Sequence, residues 1–180
     1  IVMHGFAVAG MTSPRGRSHT FDSRADGYAR SEGCGASLMC NNEHARSFKV
    51  AGGAVRQEGR SASLTAPNGQ AQQGLLRGAL QDASVPAQAI SLNEAHGTGT
   101  ALGDPIEAGA VAAIYLAQRF PSVLAISSLK ANAGHAEPGA GLLGALKLLM
   151  QTLHEAAAPN AQLRALNSHV ANALCGHAAC

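Results

Sequence analysis

Glu94-Ala-His-Gly-Thr-Gly-Thr-Ala-Leu-Gly-Asp-Pro-Ile-Glu107 and, further along, Ser128-Leu-Lys-Ala-Asn-Ala-Gly-His135 each join an apolar run to a helix through a turn rich in small residues. The apolar run before the first turn, Ala89 to Ala95, reads as a strand that leads directly into His96. Pro105 to Gln118 then reads as a helix, with Pro105 at the first helical position and Asp104 placed to cap it. The second turn repeats the scheme. Val123 to Leu129 is a predicted strand running into Lys130, and Gly139 to Glu155 a predicted helix burying Leu142, Leu143, Leu146, Leu149, Met150 and Leu153. A helix over Gln70 to Ala83, with Pro86 just beyond it, precedes both. Strands alternating with helices predict an α/β layer with a largely parallel sheet. Ligands bind at the carboxyl ends of strands in such sheets, and His96 and Lys130 each fall there.

Outward from this centre the signals weaken. Ala36 to Cys40 and Phe48 to Val55 are apolar runs expected to be buried strands, joined by a hairpin-like connection over Asn41 to Ser47. Met11 to Gly35 and Gln57 to Gly69 read as loops, and Ala156 to Cys180 as a tail of weak periodicity.

Composition bounds the function. The 180 residues suffice for one domain. Hydrophobic residues make up 46% but aromatics only 3%, so the core must be built from Ala, Leu, Val and Ile. A net charge of +2 with scattered basic residues argues against nucleic acid or an anionic lipid surface as partner. The most apolar stretch, Gly139 to Leu153, is too short for a membrane span and carries Lys147. Four cysteines without a dense framework, and no signal-like start, fit an intracellular setting, cytoplasmic or plastid.

A lone histidine at a strand end is more often structural than catalytic. Here Gly97 and Gly99 permit unusual backbone angles, and Thr98 and Thr100 keep two hydroxyls available beside His96. His135, delivered from a neighbouring strand end, would let two imidazole N–H groups converge on one carbonyl oxygen and stabilise an enolate or oxyanion. Lys130 would bias the protonation of the pair. A metal site is the rival, but no third ligand recurs at metal spacing. Cys175-Gly-His-Ala-Ala-Cys180 makes only an incomplete ligand set at a terminus. Gly139-Ala-Gly-Leu-Leu-Gly144 matches a dinucleotide fingerprint but follows no strand, and reads as close helix packing.

The two histidine segments closely resemble the motifs of β-ketoacyl synthases, above all the ketosynthase domains of modular polyketide synthases and related fatty acid synthases. Gly10-Met-Thr-Ser-Pro14, Phe21-Asp22, Ala25-Asp-Gly-Tyr28, Glu32-Gly-Cys-Gly35, Gly59-Arg-Ser61 and Leu64-Thr-Ala-Pro-Asn-Gly69 carry the likeness from about Met3 to Val170. The resemblance implies a thiolase-like layered α/β/α fold, here incomplete. Residues 1–56 would be the remainder of the amino-terminal half, 57–170 the carboxyl-terminal half with both histidine motifs, and 171–180 a tail. It implies decarboxylative Claisen condensation of carrier-bound malonyl units with an acyl thioester, in polyketide or fatty acid synthesis. The catalytic roles fall to His96, His135 and Lys130. Thr98 and Thr100 would hydrogen-bond the phosphopantetheine arm of an acyl carrier protein, the substrate carrier, with no covalently bound cofactor and no metal. Glu137 would support the site by pairing with the lysine network, and a homodimer or larger assembly is implied.

The departures are also plain. The family's nucleophile lies in a Thr-Ala-Cys-Ser-Ser elbow, and no segment here matches it. The Gly-Phe-Gly-Gly-Thr-Asn loop near the family's carboxyl end is absent too, and Cys34 matches a non-nucleophilic position, expected to be a small buried thiol. The sequence thus reads as a central-to-late slice that alone would not condense anything. An inactive ketosynthase-derived component of an assembly, structural or interacting, is the alternative. A thiolase is disfavoured by the spacing of Lys130 and His135.

Overall fold

The computed structural model describes residues 2–41, 48–61, 66–117 and 123–175. Its elements are α1 (Val2–Val8), α2 (Gly69–Ala83), β1 (Leu92–Glu94), α3 (Gly103–Val111), β2 (Ala125–Ser127), α4 (Lys130–Ala133), α5 (Ala140–Leu153) and α6 (Ser168–Cys175). α2 matches its expected span because its ends are chemically marked. Asn68 Oδ1 accepts from the N–H groups of Gln70 and Ala71, and Ser84 closes the helix in the left-handed region.

β1 and β2 pair in parallel, with Leu92 opposite Ala125, Asn93 opposite Ile126 and Glu94 opposite Ser127. Both strands are shorter than the sequence suggests, and a 3₁₀ turn at Ala87–Ala89 takes the start of the first. α3 lies between α2 and α6 and runs on into a π-helical turn at Ala112–Leu116. Small side chains allow that close stacking: Ala108, Ala110, Val111 and Ala112 are all buried. The central cluster is Phe21, Ala95, Ala108 and Val170, with Ile126, Ala173 and Leu174 against it.

Several expectations are corrected. Ala36 to Cys40 and the run from Phe48 to Val55 are neither strands nor buried; Leu38 is 94% and Val55 97% exposed. The larger apolar side chains are exposed, although Gly52 to Ala54 run along α2, and most of the expected hairpin connection, 42–47, lies outside the described residues. The tail holds α6, whose Val170 is 1% exposed, and this helix crosses the expected boundary at 170/171. Residues 176–180, with most of the Cys/His cluster, lie outside the described residues. On α5 the leucine stripe is only half-buried, and Met150 and Leu153 are exposed. Asp104 does not cap α3, because its carboxylate is committed to the N–H groups of Phe21 and Gly99. Cys34 is exposed rather than buried. No described helix is long and apolar enough to cross a membrane.

Candidate active site

The carboxyl ends of β1 and β2 lie side by side, so the turns that follow them lie side by side too. Ala95 N–H donates to Ser127 O (2.7 Å), Ser128 Oγ donates to His96 O, and Lys130 N–H donates to Ser128 Oγ. The first turn needs its glycines. Gly97 has φ +47°, and a Cβ there would lie 2.6 Å from Ser128 Cβ and 2.7 Å from Thr20 Cγ2. Gly99 has φ +78°, with His19 N at 2.7 Å from the same hypothetical atom.

Two carboxylates from one face of α3 secure this turn. Glu107 accepts from the N–H groups of His96 (2.6 Å) and Gly97 (2.8 Å). Asp104, three residues earlier and 1% exposed, accepts from Gly99 N–H (3.0 Å) and from Phe21 N–H (2.7 Å). Burial raises both pKa values, against the pull of the N–H donors. Asp104 therefore joins the histidine turn to the amino-terminal segment, while the first turn of α3 uses Thr100 Oγ1 as acceptor for Gly103 N–H.

His96 and His135 meet edge to face, with ring centroids 5.6 Å apart and planes at 87°. Tyr28 also packs against His135, at 5.0 Å. His135 is buried, and its Nδ1 accepts from Glu137 N–H (3.0 Å). That bond assigns the tautomer: Nδ1 is the acceptor, so Nε2 carries the proton and is the donor. Burial pushes the His135 pKa down to about 4, helped by the charge of Lys130 and by His96 and Arg30. His96 faces the opening, yet the surrounding chain and Lys130 lower its pKa as well. Both rings are thus held neutral near pH 7, as N–H donors rather than imidazolium ions.

Lys130 opens α4 and is 6% exposed. Burial lowers its pKa, while Glu107, Glu94 and Asp104 raise it. Thr98 and Thr100 bring their hydroxyls within 3.2 Å of each other. Both line a cavity of about 740 Å³ that also receives His96, His135 and Glu107, with Leu75 and Leu76 on its apolar side. The structure thus brings His96, His135, Lys130, Thr98 and Thr100 to one place. Glu137 lines the same cavity and its N–H serves His135, but its carboxylate pairs with Arg30 Nη1 at 2.5 Å, a correction to the expected lysine partner; its own φ is +49°. Among the described residues no cluster of three or more His, Cys, Asp or Glu side chains is built to hold a metal. Of the dinucleotide-like glycines, Gly139 and Gly144 are close-packed, against Gly33 O and Glu94, while Gly141 faces open space.

Sequence reasoning missed Glu107, Glu94, Tyr28 and Arg30. For Glu107 a signal was there: it closes the first motif at i+3 from Asp104, on one helix face.

Known proteins share this arrangement of segments. The family model described as "Beta-ketoacyl synthase, C-terminal domain" matches residues 48–164, and "Beta-ketoacyl synthase, N-terminal domain" matches residues 1–45. Over 177 residues, 94% of this chain, the sequence is 39% identical to a phenolphthiocerol/phthiocerol polyketide synthase protein of Mycobacterium tuberculosis, and spans 9% of that protein. It is 46% identical over 145 residues, 77% of this chain, to the spectinabilin polyketide synthase system protein NorA' of Streptomyces orinoci, spanning 4% of it. Among solved structures, the ketosynthase from module 6 of the bacillaene synthase of Bacillus subtilis 168 superposes with a TM-score of 0.85 at 31% identity, covering 93% of this chain and 31% of that one. The chain therefore spans about a tenth or less of these curated relatives, and about a third of a ketosynthase of known structure. With two family domains in order, relatives among polyketide synthases and a thiolase-like α/β fold, the chain belongs to the β-ketoacyl synthase family, as part of a ketosynthase domain of the modular polyketide synthase type.

Proposed function

We propose that these residues serve the decarboxylation and enolate-stabilising half of a decarboxylative Claisen condensation in polyketide synthesis. The observation that carries the proposal is the pair of neutral imidazoles meeting edge to face over a cavity, one with its tautomer fixed by Glu137 N–H. A malonyl thioester whose carbonyl oxygen lies between His96 and His135 loses CO₂ as the Cα–carboxylate bond breaks. The electron pair moves onto the thioester oxygen, and two N–H donors receive the developing charge. The carbanion equivalent then attacks an acyl thioester, expelling its thiolate. That thioester needs a cysteine nucleophile outside the residues that match the family here.

Burial keeps the two rings from protonating, and the positive charge of Lys130 beside them acts in the same direction. Thr98 and Thr100 share one hydroxyl proton between them, which leaves the other for an amide carbonyl of a phosphopantetheine arm. The partner is accordingly an acyl carrier protein bearing malonyl thioester, and a homodimer is the assembly the family implies. The polyketide synthase relatives do not favour an inactive assembly component.

The test is malonyl-thioester decarboxylation by the natural polypeptide that carries this sequence. His135→Ala is expected to abolish CO₂ release while leaving self-acylation intact. Unchanged decarboxylation in His135→Ala would overturn the reading.

A further inference from the structure

Glu94 ends β1, two residues before His96, and Lys147 lies on α5, yet their charged ends meet at 2.7 Å with each side chain only 9% exposed. The other carboxylate oxygen of Glu94 accepts from Leu129 N–H at 2.5 Å, immediately before Lys130. Lys147 Nζ also donates to Ser127 Oγ (2.7 Å), the last residue of β2. One buried ion pair thus grips both strand ends that deliver the site.

We infer that Glu94, held by Lys147, is a positioning residue: it locks the turn carrying Lys130 to the strand carrying His96, so that the two keep one register while charge develops between the imidazoles. The inference rests on the enolate-stabilising reading of the site.

Three observations carry it. A carboxylate and an ammonium so thoroughly withdrawn from water gain little stability over an apolar pair of the same volume, since desolvation offsets their attraction. What they provide is geometry, because both oxygens and the ammonium are committed to named partners at the strand ends. Next, α5 makes room for the carboxylate. Gly144, one turn before Lys147, lies where an added Cβ would be 3.1 Å from Glu94 Cγ, which gives part of the Gly139–Gly144 pattern a purpose. Finally, Glu94 lines the same cavity as His96 and His135, and its charge joins those of Glu107 and Asp104 in supporting the ammonium of Lys130.

The experiment measures kcat and KM for malonyl-thioester decarboxylation by the natural polypeptide, with Glu94→Gln, Lys147→Met and Gly144→Ala, each assayed well below its own melting temperature. Glu94→Gln keeps an acceptor for Leu129 but loses the charge, and Lys147→Met keeps most of the volume. Both are expected to lower kcat by about 10- to 100-fold with KM within about twofold, the size of effect that a misplaced catalytic group produces. Gly144→Ala keeps both charges and favours the helix, yet crowds Glu94; it should show the same defect in smaller measure, and it tests the idea even where the charge variants do not fold. Wild-type kcat in Gly144→Ala together with either folded charge variant, or a rise in KM alone, would overturn the positioning role. Loss of the wild-type activity itself, or an active His135→Ala, would instead overturn the reading of the site.

Discussion

A single bond at His135 decides what this site does with protons. Because Nδ1 is occupied by Glu137 N–H, the ring can give only its Nε2 proton to a ligand, and because its pKa lies at about 4 it stays neutral through the physiological range. The sign for stability follows from the same depression. The unfolded chain binds a proton on this histidine near pH 6.5, the folded chain only at about 4. Nothing is lost above pH 6.5, and native stability declines as pH falls from about 6.5 toward 4. Urea midpoints across that range should therefore fall less steeply in His135→Gln than in the wild type. Gly97 makes a second test. At φ +47°, with Ser128 and Thr20 already in contact range of any Cβ, Gly97→Ala should cost about 2 kcal/mol or more and displace the turn, read by thermal melting and by loss of decarboxylation.

Among the elements, the amino-terminal segment and the stretch before α6 meet at Asp22, which is fully buried. It binds Arg24 in two places, and accepts from the N–H groups of Arg164 and Ala165. The guanidinium holds the carboxyl well below the usual carboxylate range. A depressed folded pKa means stabilisation that is full above the unfolded value of about 4 and is lost as pH falls below it. Asp22→Asn is expected to cost about 2–4 kcal/mol at pH 7, and progressively less only as pH falls below about 3, by chemical denaturation. The elements also show what could be read in advance. Pro86 marked the end of α2 in advance because helix ends are local chemistry, and the cap at Asn68 is of the same local kind. Ala36–Cys40 and Phe48–Val55 misled because an apolar run states what a segment prefers to touch, not whether a partner layer is present. The short helix at Ser168–Cys175 escaped because its apolar face, Val170, Ala173 and Leu174, covers a single i, i+3, i+4 step and does not stand out in an Ala/Asn-rich tail. The histidines stood out by motif, whereas the roles of Glu94 and Asp104 did not, since their partners are backbone N–H groups brought from elsewhere in the chain.

Across the whole molecule, stability is concentrated where α3 passes α6 and Phe21. Val170→Ala should lower unfolding free energy by about 1–3 kcal/mol through the cavity it leaves between α6 and the central cluster. Deleting residues 168–180 would uncover Ala108 and Phe21 together, and is expected to abolish the cooperative transition seen by near-UV circular dichroism and calorimetry. The site would go with it, because Phe21 N–H is one of the groups that fix Asp104, and Asp104 in turn fixes Gly99.

The Asp22 junction also sets a timetable for biosynthesis. Its backbone partner at Ala165 is 143 positions downstream. A ribosome adding about 5–20 residues per second needs roughly 7–30 s to reach it. Throughout that interval Asp22 has only Arg24 beside it to meet its charge, and Phe21 lacks the cover of Val170. Slowing elongation between these two positions should therefore lower the yield of native protein, while slowing it after residue 175 should not.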